Sequence, residues 1–67
     1  MRYTTKLARN LKEHRKKLKL TQEEFSEVID IHINYYSGLE CGKRNPTLNI
    51  LDKISNKLGI SLIELLK

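Results

Sequence analysis

The stretch from Thr21 to Asn45, TQEEFSEVIDIHINYYSGLECGKRN, decides the fold, because it holds two short helical patterns with room between them only for a tight turn. Thr21 has the hydroxyl of a good N-cap, and Glu24 follows at the spacing where the two side chains each satisfy a backbone donor left free at a helix start. A helix is therefore predicted from Gln22. Phe25, Val28 and Ile29 recur at i, i+3 and i+4 and give it one apolar face, while Glu23, Glu24 and Glu27 suit the positive end of its dipole. A second helix is predicted from about Ile33 to Leu39, with Tyr36 and Leu39 inward and Ile33, Asn34, Ser37 and Gly38 outward. A surface helix ordinarily shows charge on its outer face, and this one shows none. Such a small, uncharged face can approach another surface closely, and Lys43 and Arg44 nearby indicate that this surface is anionic.

Working outward, a helix is predicted from Lys6 to about Lys17, with Thr4 or Thr5 as its cap, because Leu7, Leu11, His14 and Leu18 recur on one stripe. His14 reads as a partly buried core residue. The run Arg15-Lys16-Lys17-Leu18-Lys19 lies where the helix dipole favours cations; a solvated helix end is the plain reading and a phosphate clamp the sharper one. Leu20 should anchor in the core. On the other side, Gly42 is a natural left-handed stop, Pro46 can introduce a helix, and Leu48, Leu51, Ile54, Ser55 and Leu58 give that helix an inward stripe from about 48 to 58. After Gly59, Ser61 starts a last short helix whose Leu62, Leu65 and Leu66 close the base of the core. Ile50 and Ile63 flank these stripes; together with Leu66 they suggest a self-association patch, with a wider core as the alternative.

With 67 residues the chain is expected to be one domain, burying only about 60% of the surface its unfolded form exposes. A pocket able to enclose a substrate would consume much of so small a core, which argues against an enzyme. Composition is that of a globular protein, with hydrophobic residues at 39% and charged ones at 31%; the formal net charge of +5 favours nucleic acid as partner. A lone cysteine excludes an intrachain disulfide. The absence of a signal-like or membrane-spanning apolar run makes the cytoplasm the expected compartment. His14, His32 and Cys41 do not make a metal spacing, and neither a cofactor nor a small-molecule ligand is expected. Cys41 reads as an exposed thiol without a role, with redox sensing as the alternative.

Arg15, Leu20 to Phe25, Tyr35, Ser37, Leu39-Glu40, Gly42 to Pro46, Leu48, Ile54, Leu58 to Ser61 and Leu65 form an ordered set that resembles the phage-repressor and Cro-like (XRE) helix-turn-helix proteins. The resemblance spans roughly Leu7 to Leu66, and the run Tyr35 to Glu40 also looks like the controller proteins of restriction-modification systems. It implies an all-α, compact five-helix, lambda-repressor-like DNA-binding domain whose helix-turn-helix is formed by helices 2 and 3. It also implies an ion pair between Arg15 and Glu40, and a phosphate contact from Gln22 that supports the recognition helix. The family usually has glycine at Asp30, where positive φ is needed; aspartate is among the few residues that tolerate it. His32 stands where the family has a Ser or Thr cap.

Double-stranded DNA is thus the expected partner, bound by a homodimer, with no membrane role. His32, Ile33 and Asn34 lie at the end of the recognition helix that meets base edges. Asn34 can pair with adenine, and Ile33 can touch a thymine methyl, which predicts an A·T-leaning position. Tyr35 either bonds DNA through its hydroxyl or packs on helix four; Ser37 is small enough to face a phosphate or base. Gly38 either brings the helix backbone nearer to DNA or removes a contact. Lys43, Arg44 and Asn45 form a loop suited to phosphates flanking the groove. The expected function is a sequence-specific transcription regulator, repressor or activator, on an inverted-repeat operator. An antitoxin of the same fold, holding a toxin protein and regulating its own operon, is the alternative; a basic membrane-surface binder and a small hydrolase built on Asp30, His32 and Ser37 are weaker.

Overall fold

Five helices, α1 (Tyr3–Lys17), α2 (Gln22–Val28), α3 (Ile33–Glu40), α4 (Leu48–Leu58) and α5 (Leu62–Leu66), make up the computed structural model, which describes residues 2–67. No strand occurs among the described residues. Four of the helices begin on a side-chain cap. Thr21 accepts from the Glu24 amide at 3.1 Å while Glu24 accepts from the Thr21 amide at 2.9 Å, the reciprocal arrangement expected from sequence. Thr47 and Ser61 each accept from a single amide, those of Ile50 and Glu64. His32 does the work of the missing hydroxyl: its Nδ1 accepts from the Asn34 amide at 3.1 Å and starts α3 at Ile33.

The four helices followed by a further helix all end on one backbone device. A residue with positive φ follows the helix, and the next amide reaches back five residues to a carbonyl. The left-handed residues are Lys19 (φ 59), Asp30 (φ 56), Gly42 (φ 73) and Gly59 (φ 68). The long bonds are Leu20 to Arg15, Ile31 to Ser26, Lys43 to Gly38 and Ile60 to Ser55, at 3.2, 2.9, 2.9 and 3.1 Å. Asp30 thus bears the strain expected of it; Lys19 bears the same strain without any sequence signal.

The core contains Leu7, Leu11, Phe25, Ile29, Tyr36, Leu39, Leu51, Ile54 and Leu65, with the Phe25 and Tyr36 rings 5.4 Å apart and tilted by 55°. Packing of α1 against both α3 and α5 brings the first and last helices together, and the Asn10 amide donates to the Leu65 carbonyl at 2.8 Å. His14 is half-buried, as expected, and Leu20 packs on the core.

Several expectations fail for physical reasons. Helix α1 starts at Tyr3, not Lys6, and neither Thr4 nor Thr5 caps it; no side chain does, so burial of Leu7, Ala8 and Leu11 holds the helix and not a local stop signal. Leu18 is exposed because the helix ends at Lys17 and the left-handed Lys19 hands the inward place to Leu20. Val28 is exposed because the buried stripe of α2 runs Phe25, Ser26, Ile29; Ser26 can be buried because its hydroxyl donates to the Glu23 carbonyl at 2.7 Å. Leu48 is 72% exposed: α4 leans toward Ile50, which packs half-buried against the core along with Leu66. Ile50 and Leu66 thus each pack partly on the core and leave part of the side chain uncovered.

Candidate nucleic-acid interface

Helix α3 is held from below by charge. Glu40, its last residue, puts a carboxylate at the negative end of the helix dipole, an unfavourable place unless a cation answers it. Arg15 of α1 answers it twice, Nε donating to Oε2 at 2.9 Å and Nη2 to Oε1 at 2.8 Å, while its Nη1 donates to the Leu20 carbonyl at 3.0 Å. Gln22, first in α2, adds a bond from Nε2 to Glu40 Oε1 at 3.1 Å. One guanidinium and one carboxylate so fix the end of α1, the start of α2 and the end of α3. Burial opposes ionisation of Glu40, yet the donors around it, Arg15 foremost and Gln22 among them, hold its carboxyl down at about 2. Hydrogen bonding to Glu40 raises the Arg15 guanidinium further above its ordinary value. Among the described residues the buried Tyr36 hydroxyl has no hydrogen-bond partner within bonding geometry. Burial first, and the neighbouring Glu40 carboxylate after it, push this phenol well above its usual range, so it stays neutral.

Above this anchor, Tyr36 and Leu39 are fully buried, and the opposite face carries Asn34, exposed, with Ile33, Ser37 and Gly38 half-exposed. His32 is exposed at the N-terminal end. No part of that face carries a charge. Tyr35 is half-buried and packs on the core, and the Arg44 guanidinium carbon lies 5.2 Å from its ring centroid. Gly42 ends α3 and turns the chain so that Lys43, Arg44 and Asn45, all exposed, stand at the C-terminal end of the same ridge. Pro46, buried, fixes the far side of this loop.

Sequence reasoning missed what lies across from the loop. A groove of about 390 Å³ runs between it and the start of α1, lined by Arg2, Tyr3 and Thr4 on one side and by Gly42, Lys43, Arg44 and Asn45 on the other. Arg2 thereby joins Lys43 and Arg44. With the sides some forty residues apart in sequence, only the packing of α1 beside α3 could reveal it. The structure ties the expected phosphate ligand, Gln22, to Glu40. Cys41 is free and exposed, and no group of metal-binding side chains occurs among the described residues. No described helix is long and apolar enough to cross a membrane.

A buried-backed helix with a neutral outer ridge, entered through a tight turn and flanked by cations, has the shape and charge that contact with DNA requires. Comparison with known proteins agrees. A family described as "Helix-turn-helix" matches residues 11–65. Control protein C.MunI from a Mycoplasma species is 48% identical over 65 residues, which cover 97% of this chain and 84% of the relative. The uncharacterized HTH-type transcriptional regulator YqaE of Bacillus subtilis is 43% identical over 58 residues, 87% of this chain and 50% of that protein. Control protein C.BamHI of Bacillus amyloliquefaciens is 38% identical over 50 residues, 75% of this chain and 62% of that one. No solved structure matches. The chain belongs to the XRE-type helix-turn-helix family of DNA-binding transcription regulators.

Proposed function

We propose that this chain acts as a homodimer on an inverted-repeat operator in the cytoplasm, laying α3 of each subunit in the major groove, and that it carries out no enzymatic reaction. The observation that carries the reading is the uncharged ridge from His32 to Gly38, backed by buried Tyr36 and Leu39 and ending in the Lys43–Asn45 loop. Asn34, exposed near the start of α3, pairs with an adenine, and Ile33 beside it touches a thymine methyl. His32 lies at the edge of the ridge and Ser37 faces the sugar-phosphate wall.

Gln22 has two N–H donors on one nitrogen; one stays on Glu40 and the other takes a phosphate oxygen. Lys43, Arg44 and Asn45 hold phosphates at the other end. Ile63, 76% exposed on α5, offers the dimer contact, to which Ile50 and Leu66 add what the core leaves uncovered. Two such subunits place their reading heads about 34 Å apart, one duplex turn. Likeness to two control proteins supports a place among controllers of restriction-modification genes.

The test is a salt series of binding to random duplexes and to duplexes selected by the protein. A regulator shows a steep salt slope together with a strong preference for the selected sequence. A slope with no preference would leave a nonspecific basic protein. Asn34→Ala should relax preference at one base position, by about 1 to 3 kcal/mol; uniform weakening across all sequences would move the reading head elsewhere.

A further inference from the structure

Gly38 sits in the middle of α3, where alanine would make the better helix. The loop beyond occupies the space that an alanine side chain would need. A Cβ built on Gly38 would come within 2.6 Å of Arg44 Cγ and 3.1 Å of its Nε. The Arg44 side chain therefore runs across bare helix backbone to reach the Tyr35 ring, 5.2 Å from its centroid. At about 100° of rotation per residue, Gly38 and Tyr35 are adjacent on one flank of the outward face whose centre is held by Ser37 and Asn34.

We propose that Gly38 and Tyr35 are positioning residues for Arg44, the first by leaving open the path of its stem and the second by holding its guanidinium on a ring face beside the reading ridge. The inference rests on the DNA-binding reading above and names what sets one of its cations in place. An arginine free in solvent must give up its rotamers when it binds; one already laid on an aromatic face has given up much of that freedom beforehand. Stacking occupies the face of the guanidinium plane and leaves its N–H edge for a phosphate of the duplex. Tyr35 acts here through its ring, so its hydroxyl is dispensable for this role.

The test is a double-mutant cycle of Gly38→Ala and Arg44→Ala, read by binding to a duplex selected by the unaltered protein and by melting temperature. Gly38→Ala should melt higher and yet bind about ten-fold more weakly, and in the Arg44→Ala background it should cost no further affinity. An equal loss in both backgrounds would mean that Gly38 itself meets the DNA, and would overturn the proposal. A second measurement needs no DNA. The Arg44 side-chain protons should be shifted upfield by the Tyr35 ring current, and should lose that shift in Gly38→Ala and Tyr35→Leu but keep it in Tyr35→Phe. Absence of the shift in the unaltered chain would equally overturn it. A protein that bound every duplex alike would sink the regulator reading instead, and the cycle run on any such duplex would still report on Gly38.

Discussion

The turns that end α2 and α3 share one backbone geometry and differ in everything attached to it. After α2 the left-handed residue is Asp30 and the next is Ile31, which packs against the core; after α3 they are Gly42 and Lys43, both exposed. The paired return bonds match closely: Asp30 to Glu27 at 3.1 Å and Ile31 to Ser26 at 2.9 Å, against Gly42 to Leu39 at 3.1 Å and Lys43 to Gly38 at 2.9 Å. This device ordinarily puts a hydrophobe in the position of Ile31, where it can touch the last turn of the helix. Leu20 and Ile60, both packed against the core, hold that position after α1 and α4. Lys43 is the one departure, and it falls at the end of the uncharged ridge. The first turn is anchored by burial; the second gives up that anchor to present a cation and is held by the Arg15–Glu40 pair beneath it.

The largest effect should come from breaking that pair. Arg15→Ala leaves Glu40, whose side chain is only 3% exposed, without its main partner, and should cost about 3 kcal/mol in a denaturant titration. That is most of what a core this small supplies. Adding Glu40→Gln should recover part of the loss, because the expense lies in the unpaired charge. Acid makes the same break. Folding lowers the Glu40 carboxyl from 4.5 to about 2, so its stabilisation is complete above 4.5 and disappears as pH falls through about 2. Helicity followed by circular dichroism should decline over that window, and less steeply for Glu40→Gln.

Next comes the contrast between the turns themselves. Ile31→Ala should destabilise by about 1.5 kcal/mol, less than a fully buried isoleucine would. Lys43→Ala should leave stability within about 0.5 kcal/mol, while weakening binding to all duplexes alike and lowering the salt slope by about 1. If Lys43→Ala proved as destabilising as Ile31→Ala, the two turns would be structural equals and the division drawn between them would collapse.

Much of this contrast is visible in the sequence because local chemistry sets it. The Thr21–Glu24 box, the stop at Gly42, the inward Tyr36 and Leu39 and the neutral ridge all follow from spacing over a few residues. The ion pair came from family resemblance, since nothing local links positions 15 and 40. What stayed hidden depends on how helices lie against each other. Helical spacing marks a stripe yet leaves open which edge of it faces the core, so spacing puts Leu48 and Val28 inside and Ile50 outside where the packing does the reverse. Arg2 stands beside the basic loop only because α1 packs on α3, and the Arg44 stem lies in the space a side chain at Gly38 would fill only because the turn at Gly42 brings the loop back over the helix.

The smallest effect concerns strain, and it separates the two non-glycine turns. A side chain in the left-handed region costs roughly 1 to 2 kcal/mol, less for aspartate, whose short polar group bonds locally. Lys19 (φ 59) has no such relief, so Lys19→Gly should stabilise by about 1 kcal/mol, the entropy of the more flexible unfolded chain taking back part of the gain. Asp30 has two reasons to stay: its tolerance of the conformation, and an ion pair to Lys53 at 3.2 Å between side chains 75% and 40% exposed. So exposed a pair contributes little, and Asp30→Gly should gain only about 0.5 kcal/mol. Thermal melts of the two variants rank the effects directly. Were Asp30→Gly the more stabilising, the strain at the turn leading into α3 would be the greater, and the ease with which aspartate replaces glycine there would no longer explain it.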